Sequence, residues 1–154
     1  MDRMGTVAAV AACVAANLTG GFAAVPGSAG AGNIVYALTL KNTSQQPCFV
    51  TGIPGLTLLD RRDRKLPTAV RPARPGALTA IRVQLAPGRS ARATARFSPD
   101  VPGPGEGHPG KPCEPKAYRL RVVPTGGGAL TVPITPPTPV CEHGGMTWTP
   151  LTFG

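Results

Sequence analysis

The sequence contains no apolar run of about 20 residues, so no segment of it is a candidate transmembrane helix. Acidic side chains are scarce: the 154 residues include 7 Asp and Glu against 16 Lys and Arg, a formal net charge of +9. Aromatic residues make up 5% of the chain, too few for the stacking platform that usually accompanies a basic surface in nucleic-acid-binding proteins. The composition therefore argues against nucleic acid as a partner.

Glycine and proline, in contrast, are abundant, with 20 and 19 copies. Few stretches run far without one of these residues, which excludes a helical bundle and favours short elements joined by many turns. The hydrophobic fraction is 42% and the charged fraction 15%, which excludes a charge-driven disordered chain. The length fits one ordinary domain. We expect a single domain over residues 13–154, after a short leader or expression remnant at 1–12.

Hydrophobic residues recur at every second position in several short segments, which is the period of a strand with one buried face. These segments follow one another at intervals typical of an antiparallel sandwich or barrel. We therefore predict an all-β fold of two packed antiparallel sheets. Residues 78–97 are expected to form a hairpin-like pair with an apolar and an arginine-bearing face. The side chains predicted to be buried are Tyr36, Leu38, Leu40, Val83, Leu85, Phe97, Leu120, Val122, Val132 and Trp148.

The four cysteines include no Cys-x-x-Cys pair, which argues against a zinc ribbon or a thioredoxin-type redox site. Two disulfide bonds in an exported protein would use all four cysteines. Of the three possible pairings, proximity in sequence favours Cys13 with Cys48 and Cys113 with Cys141. An alternative stays open, because residues 10–13 resemble a bacterial lipobox, in which Cys13 would be lipidated and Cys48 would lose its partner.

Motifs for catalysis or for metal binding are missing from the sequence. The two histidines, His108 and His143, are spaced from the nearest cysteines in a way that matches no standard zinc finger. There is no Gly-x-Ser-x-Gly nucleophile elbow. Asp60 and Asp63 lie in a turn crowded with arginine, which does not suit a general acid and base pair. We expect no cofactor, no bound metal and no enzymatic activity.

The arginines are the remaining candidates for a functional surface. Arg82, Arg92 and Arg96 fall on the outward face of the predicted hairpin. One interpretation is a solvated face that keeps a β protein soluble and protects its edges. The other is an anion-docking face for anionic lipid head groups, cell-wall polyanions or an acidic protein.

A set of spaced motifs runs along almost the whole chain. Leu-Thr-Leu-Lys-Asn-Thr-Ser at 38–44 is followed by Pro-Cys at 47–48 and by Gly-Ile-Pro-Gly-Leu at 52–56. Leu-Ala-Pro-Gly at 85–88, Cys113 and the closing Trp-Thr-Pro-Leu at 148–151 extend the pattern. Together these motifs resemble the DUF4232 domain of exported actinobacterial proteins, over roughly residues 13–154. The resemblance implies an immunoglobulin-like β-sandwich, usually behind a signal peptide or lipid anchor, without an established molecular function.

These observations lead to one functional hypothesis and one alternative. We expect a secreted or cell-envelope, non-enzymatic binding or scaffold domain, which would dock an anionic partner through Arg82, Arg92 and Arg96. The alternative is a small secreted hydrolase or inhibitor whose site lies on the proline- and glycine-rich loop at 98–112.

Overall fold

The computed structural model describes residues 9–74, 80–107 and 111–154. Strands dominate these ranges, together with a short 3-10 turn at Ala15–Asn17 and one helical turn at Cys141–Gly144. The strands are β1 (Ala11–Ala12), β2 (Leu18–Ala24), β3 (Ile34–Asn42), β4 (Cys48–Thr51), β5 (Gly55–Leu59), β6 (Ala69–Pro72), β7 (Arg82–Leu85), β8 (Ser90–Phe97), β9 (Ala117–Val123), β10 (Leu130–Thr138), β11 (Gly145–Trp148) and β12 (Thr152–Phe153).

The strands form a large sheet and a small one. The large sheet has nine strands in the order β5-β9-β10-β2-β3-β8-β11-β6, with β12 also paired to β8. The small sheet has the order β1-β4-β7. Side chains from both sheets meet in one hydrophobic core. The predicted all-β class is thus confirmed, while the immunoglobulin-like topology stays a prediction. Three strand pairs, β1–β4, β2–β10 and β6–β11, are parallel among otherwise antiparallel neighbours. No helix in the described part of the chain is long and apolar enough to cross a membrane.

β2 occupies an interior position in the large sheet. It pairs antiparallel with β3 along its whole length and parallel with β10 through Phe22 opposite Ile134. Two groups of strands, β5-β9-β10 and β3-β8-β11-β6, are therefore joined through β2.

Both predicted disulfide bonds are present. Cys13 is bonded to Cys48, with 4.9 Å between their Cα atoms, and Cys113 is bonded to Cys141, with 5.4 Å. The first bond joins the N-terminal segment to β4, whose neighbour β1 lies parallel to it. With its sulfur in this bond, Cys13 has no thiol left to carry a lipid.

The core contains all ten side chains that period-two alternation predicted to be buried, and each of them is at most 3% exposed. Its centre is aromatic: the Trp148 ring stacks on Phe22 with 5.4 Å between centroids, and Phe22 also contacts Tyr36. Since every second residue of the strands contributes to this core, the alternate residues are left for the outer faces of the sheets.

The indole of Trp148 is fully buried, and its Nε1 finds no hydrogen-bond acceptor among the described residues. An unpaired buried donor costs roughly 1–3 kcal/mol. We therefore expect Trp148→Phe to lower the free energy of unfolding by only about 1 kcal/mol, because removal of that donor offsets part of the lost packing. Urea denaturation measures this change. A loss above about 3 kcal/mol would contradict this expectation.

The predicted hairpin at 78–97 is wrong. β7 pairs antiparallel with β4 in the small sheet, whereas β8 lies between β3 and β11 in the large one. The turn between β7 and β8 crosses between the sheets, and the Asn42 side chain donates a hydrogen bond to the Leu85 carbonyl beside this crossing. The physical reason for the error is that alternation reports which face of a strand is buried, but does not report which strand is its neighbour.

Candidate functional site

The outer face of the large sheet carries a row of polar and basic side chains. In register across the sheet, Arg71 of β6 lies opposite Thr147 of β11, and Thr147 lies opposite Arg96 of β8. Directly paired residues point to the same side of a sheet. Arg71 and Arg96 are therefore on one face, with one strand between them.

Two further cations extend this row along β8 and β3. Arg92 lies on the same side of β8 as Arg96, and its partner on β3 is Thr39. Lys41 follows two positions later on β3, so it points the same way. All four cations are exposed. We call this surface the basic face, and it consists of Lys41, Arg71, Arg92 and Arg96.

The basic face has almost no compensating negative charge. Within the described residues, its one ion pair joins Arg71 to Glu142, at 3.9 Å between Nη2 and Oε2. Lys41, Arg92 and Arg96 make no ion pair there. The face thus combines four cations with threonine hydroxyls, and can attract anionic groups over distances up to roughly the 10 Å Debye length of dilute salt.

Arg82 lies apart from Arg92 and Arg96. It belongs to β7 in the small sheet, and its guanidinium sits 3.9 Å from the centroid of the Phe49 ring on β4. This cation–π contact holds the Arg82 side chain against Phe49 of the neighbouring strand β4. The structure therefore brings together two of the three arginines that the sequence grouped.

A second basic region surrounds the turn after β5. Arg61, Arg62 and Arg64 of this turn line a cavity of about 420 Å³ with Lys116 and Tyr118 at the start of β9. Asp60 is also in the lining, and the backbone N–H of Arg64 is the main cause of its lowered pKa. We call this region the basic cleft.

A buried carboxylate organises the loop at 98–107, which the sequence singled out as a possible site. Glu106 Oε1 accepts the backbone N–H groups of Gly103 at 2.9 Å and Glu142 at 2.6 Å. Its Oε2 accepts the N–H of His143 at 2.7 Å. Glu142 and His143 have left-handed φ angles of 59° and 56°, and this conformation directs their N–H groups at one carboxylate.

Glu114 lies beside Glu106, and the two acids have opposite pKa shifts. Burial acts to raise the pKa of Glu106, but the hydrogen bonds from Glu114 and from the three backbone N–H groups outweigh it and hold the pKa at about 2. Burial, followed by the hydrogen bond to Glu106 and the negative charge of Glu106, raises the pKa of Glu114. Glu106 is therefore the ionised partner, and Glu114 holds a proton to higher pH.

His143 completes this cluster, with Nδ1 3.4 Å from Glu114 Oε2 and 3.7 Å from Glu106 Oε2. One ligand atom from each of the three residues lies within 4.8 Å of the others, a spacing a cation could bridge. However, the Glu106 oxygens already accept three N–H groups, and its side chain is only 1% exposed. Through these hydrogen bonds, Glu106 connects loop 98–107 to the turn after Cys141, and its role in this arrangement is structural.

A family model described as a domain of unknown function, DUF4232, matches residues 13–152 of this chain. The chain belongs to the DUF4232 family. Comparisons with curated proteins and with solved structures gave no match. In this DUF4232 domain the matched region begins at the first disulfide cysteine and ends in β12, so it includes both disulfide bonds, the basic face and the basic cleft.

Sequence reasoning missed the carboxylate cluster of this DUF4232 domain, because its members are far apart in the chain and form no spaced motif. A signal was nevertheless available. Glu114 directly follows Cys113 and His143 lies two residues after Cys141, so the predicted disulfide bond already brought these two members of the cluster near each other. His108, the other histidine considered as a ligand, lies outside the described residues.

Proposed function

We propose that this DUF4232 protein is an extracytoplasmic, non-enzymatic binding domain, and that its basic face docks a cell-envelope polymer with repeating anionic groups. The two disulfide bonds support the location, because such bonds persist in oxidising compartments and are rare in the cytosol. The observation that carries the proposal is the basic face, where four cations share one carboxylate within the described residues.

The geometry of the basic face favours a polymer over a single small anion. Arg92 and Arg96 are four residues apart on one strand, so their Cα atoms are separated by about 13 Å. Arg96 and Arg71 are two strands apart, or about 10 Å. Threonine side chains, those of Thr39, Thr94 and Thr147, lie between these cations, and Val35 lies opposite Arg96. Charges spread in this way fit several anionic groups held along a chain.

The alternative, a hydrolase with its site on the loop at 98–112, gains one supporting observation. Paired acids with opposite pKa shifts are typical of acid–base catalysis. Yet the side chains of Glu106 and Glu114 are only 1% and 13% exposed, and Glu106 is saturated with backbone hydrogen bonds. A substrate would have little access to either acid, so binding by the basic face is the better supported proposal.

Salt and substitution test the proposed function together. We expect the protein to bind long-chain polyphosphate, used as a probe for a repeating phosphate polymer, at 50 mM salt and to lose most of this binding at about 500 mM, where the Debye length is about 4 Å. Arg92→Gln/Arg96→Gln should weaken binding roughly tenfold and change the free energy of unfolding by less than about 0.5 kcal/mol. Fluorescence anisotropy and urea denaturation provide the two measurements.

Arg82→Gln is the control for the single variant Arg92→Gln, because both remove one exposed arginine but from different sheets. Arg82→Gln should leave polyphosphate binding within about twofold of wild type. Equal losses in the two variants would mean that net charge alone, without a specific face, attracts the polymer. A polyphosphate affinity that changes neither with salt nor in Arg92→Gln/Arg96→Gln would contradict the proposal. Vesicles containing anionic lipid form a further arm, and tighter binding to them than to polyphosphate would favour a membrane surface instead.

A further inference from the structure

We propose that the basic cleft is a second, independent binding site, for a small phosphate ester whose phosphate group contacts Arg61, Arg62 and Lys116 and whose organic part packs on Tyr118. The basic cleft differs from the basic face in position, being formed by the turn after β5 and the start of β9. It is an open cleft, which its cations line together with Pro115 and Tyr118.

The turn that carries the arginines has a fixed backbone. Asp60 Oδ1 accepts the N–H groups of Arg62 at 2.8 Å and Arg64 at 2.9 Å. Asp60 also donates its own N–H to the Arg64 carbonyl at 2.9 Å. This side-chain-capped turn holds two successive arginines in one place, so less conformational freedom is lost when a ligand binds.

Arg119 braces the same turn from the neighbouring strand. Its guanidinium donates hydrogen bonds to the Asp63 carboxylate and, at 3.0 Å, to the Arg61 carbonyl. Asp63 has a left-handed φ of 61°, and this brace holds it there. The contacts use the backbone of Arg61, so its side chain stays available to a ligand.

The charges in the basic cleft are mostly uncompensated. Asp60 is the one carboxylate in its lining, and Asp60 Oδ2 pairs with Arg64 Nε at 3.2 Å. Within the described residues, Arg61, Arg62 and Lys116 make no ion pair. Three cations therefore remain for a ligand, which suits the two negative charges and three oxygens of a phosphate monoester better than a single carboxylate.

The size and walls of the basic cleft indicate what accompanies the phosphate. Its volume of about 420 Å³ exceeds the need of an inorganic anion and falls within the range of small-molecule sites, roughly 300–1,000 Å³. The ring of Tyr118, which is half-buried, and the ring of Pro115 supply apolar lining. An aromatic ring or the C–H face of a sugar can pack on such walls. The ligand class is therefore a small aryl or sugar phosphate.

Nuclear magnetic resonance titration of the full chain tests this site. Phenyl phosphate, glucose 1-phosphate and inorganic phosphate are the probes, each at 50 mM salt. We expect the largest amide shifts in residues 60–64 and 116–118. Arg61→Gln/Arg62→Gln should weaken phenyl phosphate binding roughly tenfold, because charge-assisted hydrogen bonds to phosphate are lost. The matched control Arg92→Gln/Arg96→Gln removes the same charge from the basic face and should change this affinity less than about twofold.

Tyr118→Ala separates the contribution of the phosphate group from that of the organic part of the ligand. It should bring the affinity for phenyl phosphate close to that for inorganic phosphate, while leaving inorganic phosphate within about twofold of wild type. Dispersed shifts over the whole basic surface, or equal losses in the two double variants, would overturn the site. Loss of polyphosphate binding in Arg92→Gln/Arg96→Gln with phenyl phosphate binding retained would support both sites, so the failure of one remains distinct from the failure of the other.

Discussion

Replacing both cysteines of the first disulfide bond, Cys13→Ala/Cys48→Ala, is expected to lower the free energy of unfolding by about 4 kcal/mol. The bond joins residues 35 apart in sequence, and closing a loop of this length restricts the unfolded chain by about that amount in the chain-entropy model. Both cysteines are buried, at 0% and 4% exposure. Alanine is used because it places no polar or charged group at these buried positions. Guanidinium denaturation at neutral pH measures the change.

Reductant supplies the control for this prediction. Wild type should lose the contributions of both disulfide bonds when reduced, whereas the double variant should lose only that of Cys113–Cys141, which joins residues 28 apart. A double variant that is destabilised by less than about 1 kcal/mol, with an unchanged dependence on denaturant, would contradict the prediction.

Glu106→Ala is expected to lower the free energy of unfolding by about 3 kcal/mol, because it leaves the N–H groups of Gly103, Glu142 and His143 without their acceptor. Glu106→Gln keeps one acceptor oxygen and should cost less. The control is Glu114→Gln: since the pKa of Glu114 is raised, a neutral amide donor replaces a protonated acid, and we expect less than about 1 kcal/mol. Equal losses for Glu106→Ala and Glu114→Gln would contradict this division of roles.

The same carboxylate makes stability depend on pH. Folding lowers the pKa of Glu106 from 4.5 to about 2, so its stabilisation is present above pH 4.5 and is lost as the pH falls towards 2. Glu114 has the opposite sign: its pKa is raised, so its stabilisation is present below its ordinary value and is lost as the pH rises. The difference in unfolding free energy between wild type and Glu106→Gln should therefore shrink from pH 5 to pH 2. A constant difference would refute the ionised state of Glu106.

The core and the disulfide bonds could be predicted because their signals are local. Alternation along a strand marks its buried face wherever the strand lies, as for Leu38, Leu120 and Val132. Four cysteines offer only three pairings, and the pairing by proximity in sequence is confirmed. The same local signals placed Arg92 and Arg96 on one face, since the two residues are an even number of positions apart on one strand.

Features that depend on contacts between distant segments could not be predicted. The glycines and alanines of β2 give little strand signal in the sequence. Gly20 is required by its contact with β3, because a Cβ at this position would lie 2.2 Å from the Thr39 carbonyl oxygen. Arg82 was grouped with Arg92 because both lie on strands joined by a tight turn, although the turn crosses between sheets. Loop 98–107 was noted for its length, but the three N–H groups that meet at Glu106 come from two separate loops.

The interior position of β2 has a consequence for how the chain reaches its native state. The pair Phe22–Ile134 spans about 110 residues, so the large sheet cannot be completed until β10 has been synthesised. Proteins rich in such distant pairings have high contact order and fold in milliseconds to seconds rather than microseconds. An emerging chain would hold β2, β3 and β8 while the β10 edge of β2 and the β11 edge of β8 are both unpaired, a state prone to mispairing with other chains. Folding of this domain is thus expected to occur after the synthesis of its C-terminal half, and not during it.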